Sequence, residues 1–189
     1  MFSRRHVLLS AAAGALAAPS LARANVAKPH SSLEEMRPRY VRVRRDAQVG
    51  SIHVFPNLFH LYLITAPGEA IEYHVAVGEE GRNFTGRATI ERKEEWPSWT
   101  PTQNMIRREP EVYARYADGV PGGPDNPLGA RALYLYRNGR DTYYRIHGTP
   151  QPWTIGRAVS SGCVRLTNQD IIDLYERVPL GAPVRVYPA

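Results

Sequence analysis

A mainly β domain with a few short helices is what this sequence predicts, and three observations carry that reading. From Ser51 onward apolar residues alternate with polar ones in short runs, the period-two signature of strands with one buried face. Gly and Pro, 15 and 16 of the 189 residues, punctuate those runs and mark turns between short strands. Asn138-Gly139 stands between two alternating runs, and it is the favoured pair for a two-residue type I′ hairpin.

Residues 1–24 read as a signal peptide. Arg4 and Arg5 form its basic region, Val7 to Ala18 its apolar stretch, and Ala22-Arg23-Ala24 a small-x-small cleavage site. The apolar stretch is short and rich in Ala and Gly, which excludes a retained transmembrane helix. Ser3-Arg4-Arg5-His6-Val7-Leu8 resembles the twin-arginine export motif and departs from it at Val7 and Leu9, so the general secretory route stays open. Half of the formal net charge of +6 belongs to the three arginines of this leader. The remaining charge suits an anionic polymer such as cell wall, but it forms no clustered stripe of the kind nucleic acid requires.

Residues 25–50 form a basic, proline-containing lead-in with little apolar periodicity, a linker or peripheral element. Strands follow at Ile52 and Val54, at Phe59, Leu61 and Leu63, at Ile71, Tyr73, Val75 and Val77, and at Ala88 and Ile90. Trp96 to Pro101 carries too much proline for a central strand, and a short helix covers the segment near Thr102 to Tyr116. Pro121 to Gly129 is a long loop, either a functional lid or a plain connection. Arg131 to Arg137 and Arg140 to His147 then make the hairpin around Asn138-Gly139, leaving His147 at a strand end. Thr167 is placed to cap a helix carrying Ile171, Leu174, Tyr175 and Val178 at helical spacing; Pro179 and Gly181 end it, and Pro183 to Tyr187 closes the domain as a strand.

Chemistry concentrates in His147-Gly148-Thr149 and in the turn Ser160-Ser161-Gly162-Cys163-Val164-Arg165, whose cysteine, the only one of the chain, stands sixteen positions after the histidine. A lone thiol is more often a small buried hydrophobe than a nucleophile, and a lone strand histidine more often a core residue. Together, with a turn rich in Ser and Gly and a neighbouring Arg165, they point to acyl transfer through a thioester: imidazole as base, thiolate as nucleophile, main-chain N–H groups for the oxyanion. One cysteine cannot make an internal disulfide. His30, His53, His60, His74 and His147 show no close ligand pairing along the sequence, which argues against a metal.

These blocks resemble the L,D-transpeptidase catalytic domain family of bacterial cell-wall enzymes. The resemblance covers about Ser51 to Tyr187, the 51–187 catalytic domain, and rests on Asn126-Pro127-Leu128-Gly129, on Ile146-His147-Gly148-Thr149 with Ile155-Gly156, and on Ser160-x-Gly162-Cys163-Val164-Arg165 running into Asp170-Ile171-x-x-Leu174-Tyr175. It implies a β-sandwich-like domain with the site in a cleft under a flap, and a periplasmic, wall-associated enzyme without cofactor. Cys163 would be the nucleophile and His147 its base. Some members carry a second histidine two residues before the cysteine, where Ser161 stands here, so the orienting group would be a main-chain oxygen, with Gly148 the best candidate. Ser161, Gly162 and Cys163 would offer oxyanion N–H groups. Arg165 would hold a substrate carboxylate or brace the loop, and Trp153 would line the substrate cleft. The implied donor is a peptidoglycan tetrapeptide stem, which loses D-Ala and forms a 3→3 cross-link. Water as acceptor would make an L,D-carboxypeptidase, and an outer-membrane lipoprotein lysine would attach that protein to the wall. Two rivals remain: a sortase-like enzyme, whose Cys, His and Arg are spaced differently, and a non-catalytic wall-binding protein using Trp96, Trp99 and Trp153 as stacking platforms, although core or cleft wall suits those tryptophans better.

Overall fold

The structure is a computed structural model and describes residues 35–189. The expected signal peptide and export motif, His30 and the first part of the lead-in lie outside the described residues. Among the described residues, eleven strands and three α-helices account for the architecture. Within the lead-in, β1 (Arg39–Arg42) pairs antiparallel with β4 (Glu69–His74). Its arginines interrupt the apolar alternation, as edge strands tolerate and central strands do not. β2 (Ile52–Phe55) and β3 (His60–Ala66) complete a meander with β4. A 3-10 turn at Pro56–Leu58 separates them, and Phe59 closes it in the left-handed region at φ 57°.

β6 (Gly86–Glu95), β7 (Arg131–Arg137) and β8 (Arg140–His147) form a second antiparallel set. Asn138 and Gly139 sit at φ 53° and 69°, the double left-handed geometry of a type I′ turn. β11 (Pro183–Val186) lies between the two sets, parallel to β2 and antiparallel to β6. With β10 (Val164–Arg165) beside β8, the order of the nine-stranded sheet is β1-β4-β3-β2-β11-β6-β7-β8-β10; β5 (Val77–Gly78) and β9 (Ala158–Ser160) make a separate parallel pair.

One apolar cluster takes side chains from both sets, among them Ile52, Leu61, Tyr73, Leu133 and Ile146, together with Ile171 and Leu174 of α3 (Asn168–Arg177). Thr167 caps α3 by accepting from Asp170 N. At the other end Lys93 Nζ donates to the carbonyls of Tyr175 and Val178, both at 2.7 Å, where the helix dipole favours a cation. Tyr73 OH donates to Asp173 Oδ2 at 2.6 Å and ties β4 to the helix.

The helix expected near Thr102 to Tyr116 divides into α1 (Gln103–Arg108) and α2 (Pro110–Tyr113), followed by a 3-10 turn at Ala114–Tyr116. Pro110 is the cause, because a residue before proline is driven out of the helical region, and Glu109 stands at φ −139°, ψ 66°. Trp96 and Trp153 are 44% and 62% exposed, so neither is a core residue. Trp99 instead meets the rings of Tyr113 and Tyr116.

Candidate active site

Strand pairing brings the histidine and the cysteine together. β10 runs parallel to β8 with Val164 opposite Ile146 and Arg165 opposite His147, and Leu166 N donates to His147 O at 2.8 Å. Cys163 immediately precedes β10 and so stands beside the last residues of β8. The far side of β10 is fixed by two reciprocal main-chain bonds between Ala76 and Arg165, each 2.8 Å.

His147 is 3% exposed. Its Nδ1 lies 2.6 Å from Gly148 O. A carbonyl only accepts, so Nδ1 carries the proton and donates, and Nε2 keeps its lone pair. The packing around that carbonyl's residue leaves no room for a side chain. A Cβ on Gly148 would fall 2.3 Å from Asn168 Oδ1 and 2.9 Å from Ile171 Cγ2, and one on Gly129, at φ +62°, would fall 2.2 Å from the same Oδ1. Asn168 Oδ1 itself accepts from Ala130 N at 2.9 Å. The Asn126-Pro127-Leu128-Gly129 block has a structural purpose: buried Asn126 donates to the carbonyls of Val120 and Pro121 and accepts from Leu128 N. That bracing sets the Leu128 carbonyl against His147, where it favours the protonated ring.

The cysteine loop is equally constrained. Ser160 Oγ donates to Cys163 O at 2.6 Å and accepts from Gly162 N at 3.1 Å. Gly162 sits at φ +124°, and a Cβ there would meet Arg82 O and Tyr144 Cε1, each at 2.4 Å. Its N–H is therefore engaged within the loop, and of the three expected oxyanion donors it is the one already committed. Ser161 Oγ lies 3.3 Å from Arg108 Nη2 and 3.2 Å from Tyr113 OH, so the α1–α2 segment rests on this loop. Arg82 ties the two together, pairing with Glu79 and Glu109.

Burial governs the charges. Desolvation first, and the Arg165 cation second, push the His147 imidazole down to about 3. Cys163 keeps partial solvent access, yet protein crowds the sulfur enough that desolvation pushes its thiol up, against an opposing main-chain hydrogen bond at Arg145 and the Arg145 and Arg165 cations. Both groups therefore rest neutral, rather than as the thiolate–imidazolium pair that the motif alone suggests. Desolvation also lowers Arg165, whose Nε is buried without a hydrogen-bond partner. Among the described residues Arg165 makes no ion pair with a carboxylate. Trp153 stands on the 3-10 turn at Pro152–Thr154, exposed and without a described contact to His147 or Cys163.

Asn168, Tyr144, Tyr113 and Arg82 were not legible as site residues. Asn168 follows a helix cap and reads as an ordinary first-turn residue. The other three reach the loop only through tertiary packing. The histidine reading also needs correction: His60 and His74, fourteen positions apart, face each other across β3 and β4 with Glu72 beside them. Linear spacing does not reveal a cross-strand pair.

The fold and site define a β domain with a buried imidazole at a strand end and a lone thiol in the loop entering the neighbouring strand, beneath a short helical segment. Residues 39–186 match the L,D-transpeptidase catalytic domain (YkuD), and the chain belongs to that family. A protein of Escherichia coli strain K12 named Probable L,D-transpeptidase ErfK/SrfK is 41% identical over 133 residues, 67% of this chain and 40% of its own length; the match thus spans under half of that relative. Among solved structures, L,D-transpeptidase 3 from Mycobacterium tuberculosis superposes with TM-score 0.54 at 16% identity, over 73% of this chain and 60% of its own, a likeness of fold. A Brucella melitensis protein solved under the name Probable carnitine operon oxidoreductase CaiA is 50% identical, with TM-score 0.55, over 77% of this chain and 89% of its own. That name describes the Brucella protein and has no counterpart in the family match.

Proposed function

We propose that the protein is an exported cysteine acyltransferase that acts on peptidoglycan tetrapeptide stems in the periplasm. The orientation of His147 supports this best: its Nδ1–H is committed to Gly148 O, which leaves Nε2 as a free base beside the strand that delivers Cys163. Because both groups start neutral, the thiol proton passes to Nε2 as sulfur attacks the carbonyl before the terminal D-Ala. The C–S bond forms, the oxyanion takes the N–H groups of Ser161 and Cys163, and the C–N bond breaks as His147 returns the proton to the departing D-Ala amine. An amine of a second stem then attacks the thioester, giving a 3→3 cross-link and restoring the thiol. The same intermediate transfers to water or to a lipoprotein lysine if either reaches it first. Arg165, buried with an unpartnered Nε, suits a substrate carboxylate, and exposed Trp153 suits the outer cleft wall. No step calls for a metal or organic cofactor.

The test is mass spectrometry of products from a disaccharide-tetrapeptide. Wild type is expected to release D-Ala and form dimer, and Cys163→Ala to form neither. A trimmed tripeptide without dimer identifies the carboxypeptidase outcome, and persistence of more than a few percent of turnover in Cys163→Ala overturns the mechanism.

A further inference from the structure

His60 and His74 are direct cross-strand partners on β3 and β4, and Tyr62 and Glu72 are the next pair on the same face. Side chains two apart on a strand share a face, so the two imidazoles and the Glu72 carboxylate stand together on the face opposite Leu61, Ile71 and Tyr73. One ligand atom from each of the three lies within 4.8 Å of the others, and His60 Nδ1 is 3.8 Å from Glu72 Oε2. The rings of His60 and His74 meet edge to face at 4.7 Å.

We propose that His60, Glu72 and His74 form a site for one divalent cation of the zinc type, a site separate from the cysteine chemistry. The donor set selects the metal class. Two imidazole nitrogens and one carboxylate oxygen suit Zn²⁺ and neighbouring late transition ions, whereas Mg²⁺ and Ca²⁺ require a shell of oxygens that these strands do not offer. Zinc–ligand bonds of about 2.0–2.2 Å place ligand atoms about 3.3–3.6 Å apart in a tetrahedron, so metal binding would draw the three side chains closer than the 4.8 Å within which they now lie. Arg39 Nε donates to Glu72 Oε1 at 2.7 Å, which orients the carboxylate and leaves Oε2 turned to the histidines, the outer-shell role a ligating carboxylate commonly has. Glu72 is buried while both histidines are partly open, so solvent reaches the imidazoles. Cross-linking β3 to β4 there also braces the strand that leads, two residues past His74, to Ala76 and its main-chain bonds to Arg165.

The experiment uses full-length protein without a polyhistidine tag, stripped by chelator, with Cys163→Ala as a second background because a thiol also binds zinc. Zinc chloride is titrated by calorimetry, and thermal unfolding is followed in parallel. Expected are one zinc per chain in both backgrounds and a rise in Tm of roughly 5–10 °C when free zinc is a hundredfold above Kd. His60→Gln and His74→Gln should each weaken binding at least tenfold while keeping the metal-free Tm within a few degrees, a control that the variants fold. Cobalt added in place of zinc should give a visible d–d absorption band in Cys163→Ala that His74→Gln in the same background lacks. Binding lost in Cys163→Ala and kept in the histidine variants would locate the metal at the thiol and overturn the proposal. So would the absence of any zinc-induced shift, which would leave the cluster as a hydrogen-bonded polar patch.

Discussion

Protonating His147 should cost the fold more than any other single histidine, and the magnitude follows from its burial. The folded imidazole is held down at about 3 against an ordinary value of 6.5. Between those values the unfolded chain binds one proton that the folded chain refuses, so the contribution to stability is full above pH 6.5 and is lost as pH falls toward 3. Going from pH 7 to pH 4 removes about 3 kcal/mol from this group alone. With a urea dependence of about 2 kcal/mol per molar for a domain of this size, the midpoint should fall by roughly 1.5 M. The assay is urea unfolding of wild type and His147→Gln at both pH values. Glutamine cannot titrate, whereas Glu72 and Asp173, pulled down, and Asp170, pushed up, are common to both proteins and cancel in the difference. If wild type loses no more midpoint than His147→Gln on acidification, the imidazole is not buried neutral and the charge assignment at the site is wrong.

The raised Cys163 thiol, above its ordinary value of 9, should alkylate with iodoacetamide at pH 7 more slowly than free cysteine, with a rate that keeps climbing past pH 9. A rate already flat at pH 6 would instead show a resting thiolate. Gly148→Ala puts a methyl 2.3 Å from Asn168 Oδ1 and should cost about 1–3 kcal/mol of stability through overpacking. It should also lower kcat more than tenfold by displacing the carbonyl that orients His147. Gly139→Ala, where a Cβ meets nothing within 4 Å, should cost only about 1 kcal/mol for its positive φ and leave kcat unchanged. Equal kcat in the two variants would remove Gly148 from the machinery.

Local signals made most of the strands legible. Alternation placed β2, β3, β4 and β6, Asn138-Gly139 fixed the β7–β8 hairpin, and Thr167 fixed the start of α3, because each rule acts within a few residues. The β1 pairing was hidden, since an edge strand rich in arginine has no apolar alternation to read. The His147–Cys163 pair stood out through residue type and turn composition, but its neutral charge state did not, because desolvation comes from side chains distant in sequence. Asn168, Tyr144 and the His60–Glu72–His74 cluster were invisible for a related reason. Each depends on register between strands or on packing between elements, which linear spacing does not encode.

The position of β11 bears on how the protein is made. It is the last of the described strands in sequence, yet it lies in the middle of the nine-stranded sheet, joining β2 to β6. Until residues 183–186 have left the ribosome, the meander of β1 to β4 and the hairpin set of β6 to β8 share no strand between them. Non-local pairing of this kind closes late, so a nascent chain carries its thiol and imidazole before it has the complete scaffold that holds them. A stop codon shortly before Pro183 would therefore leave two unjoined sheet edges in place of one fold.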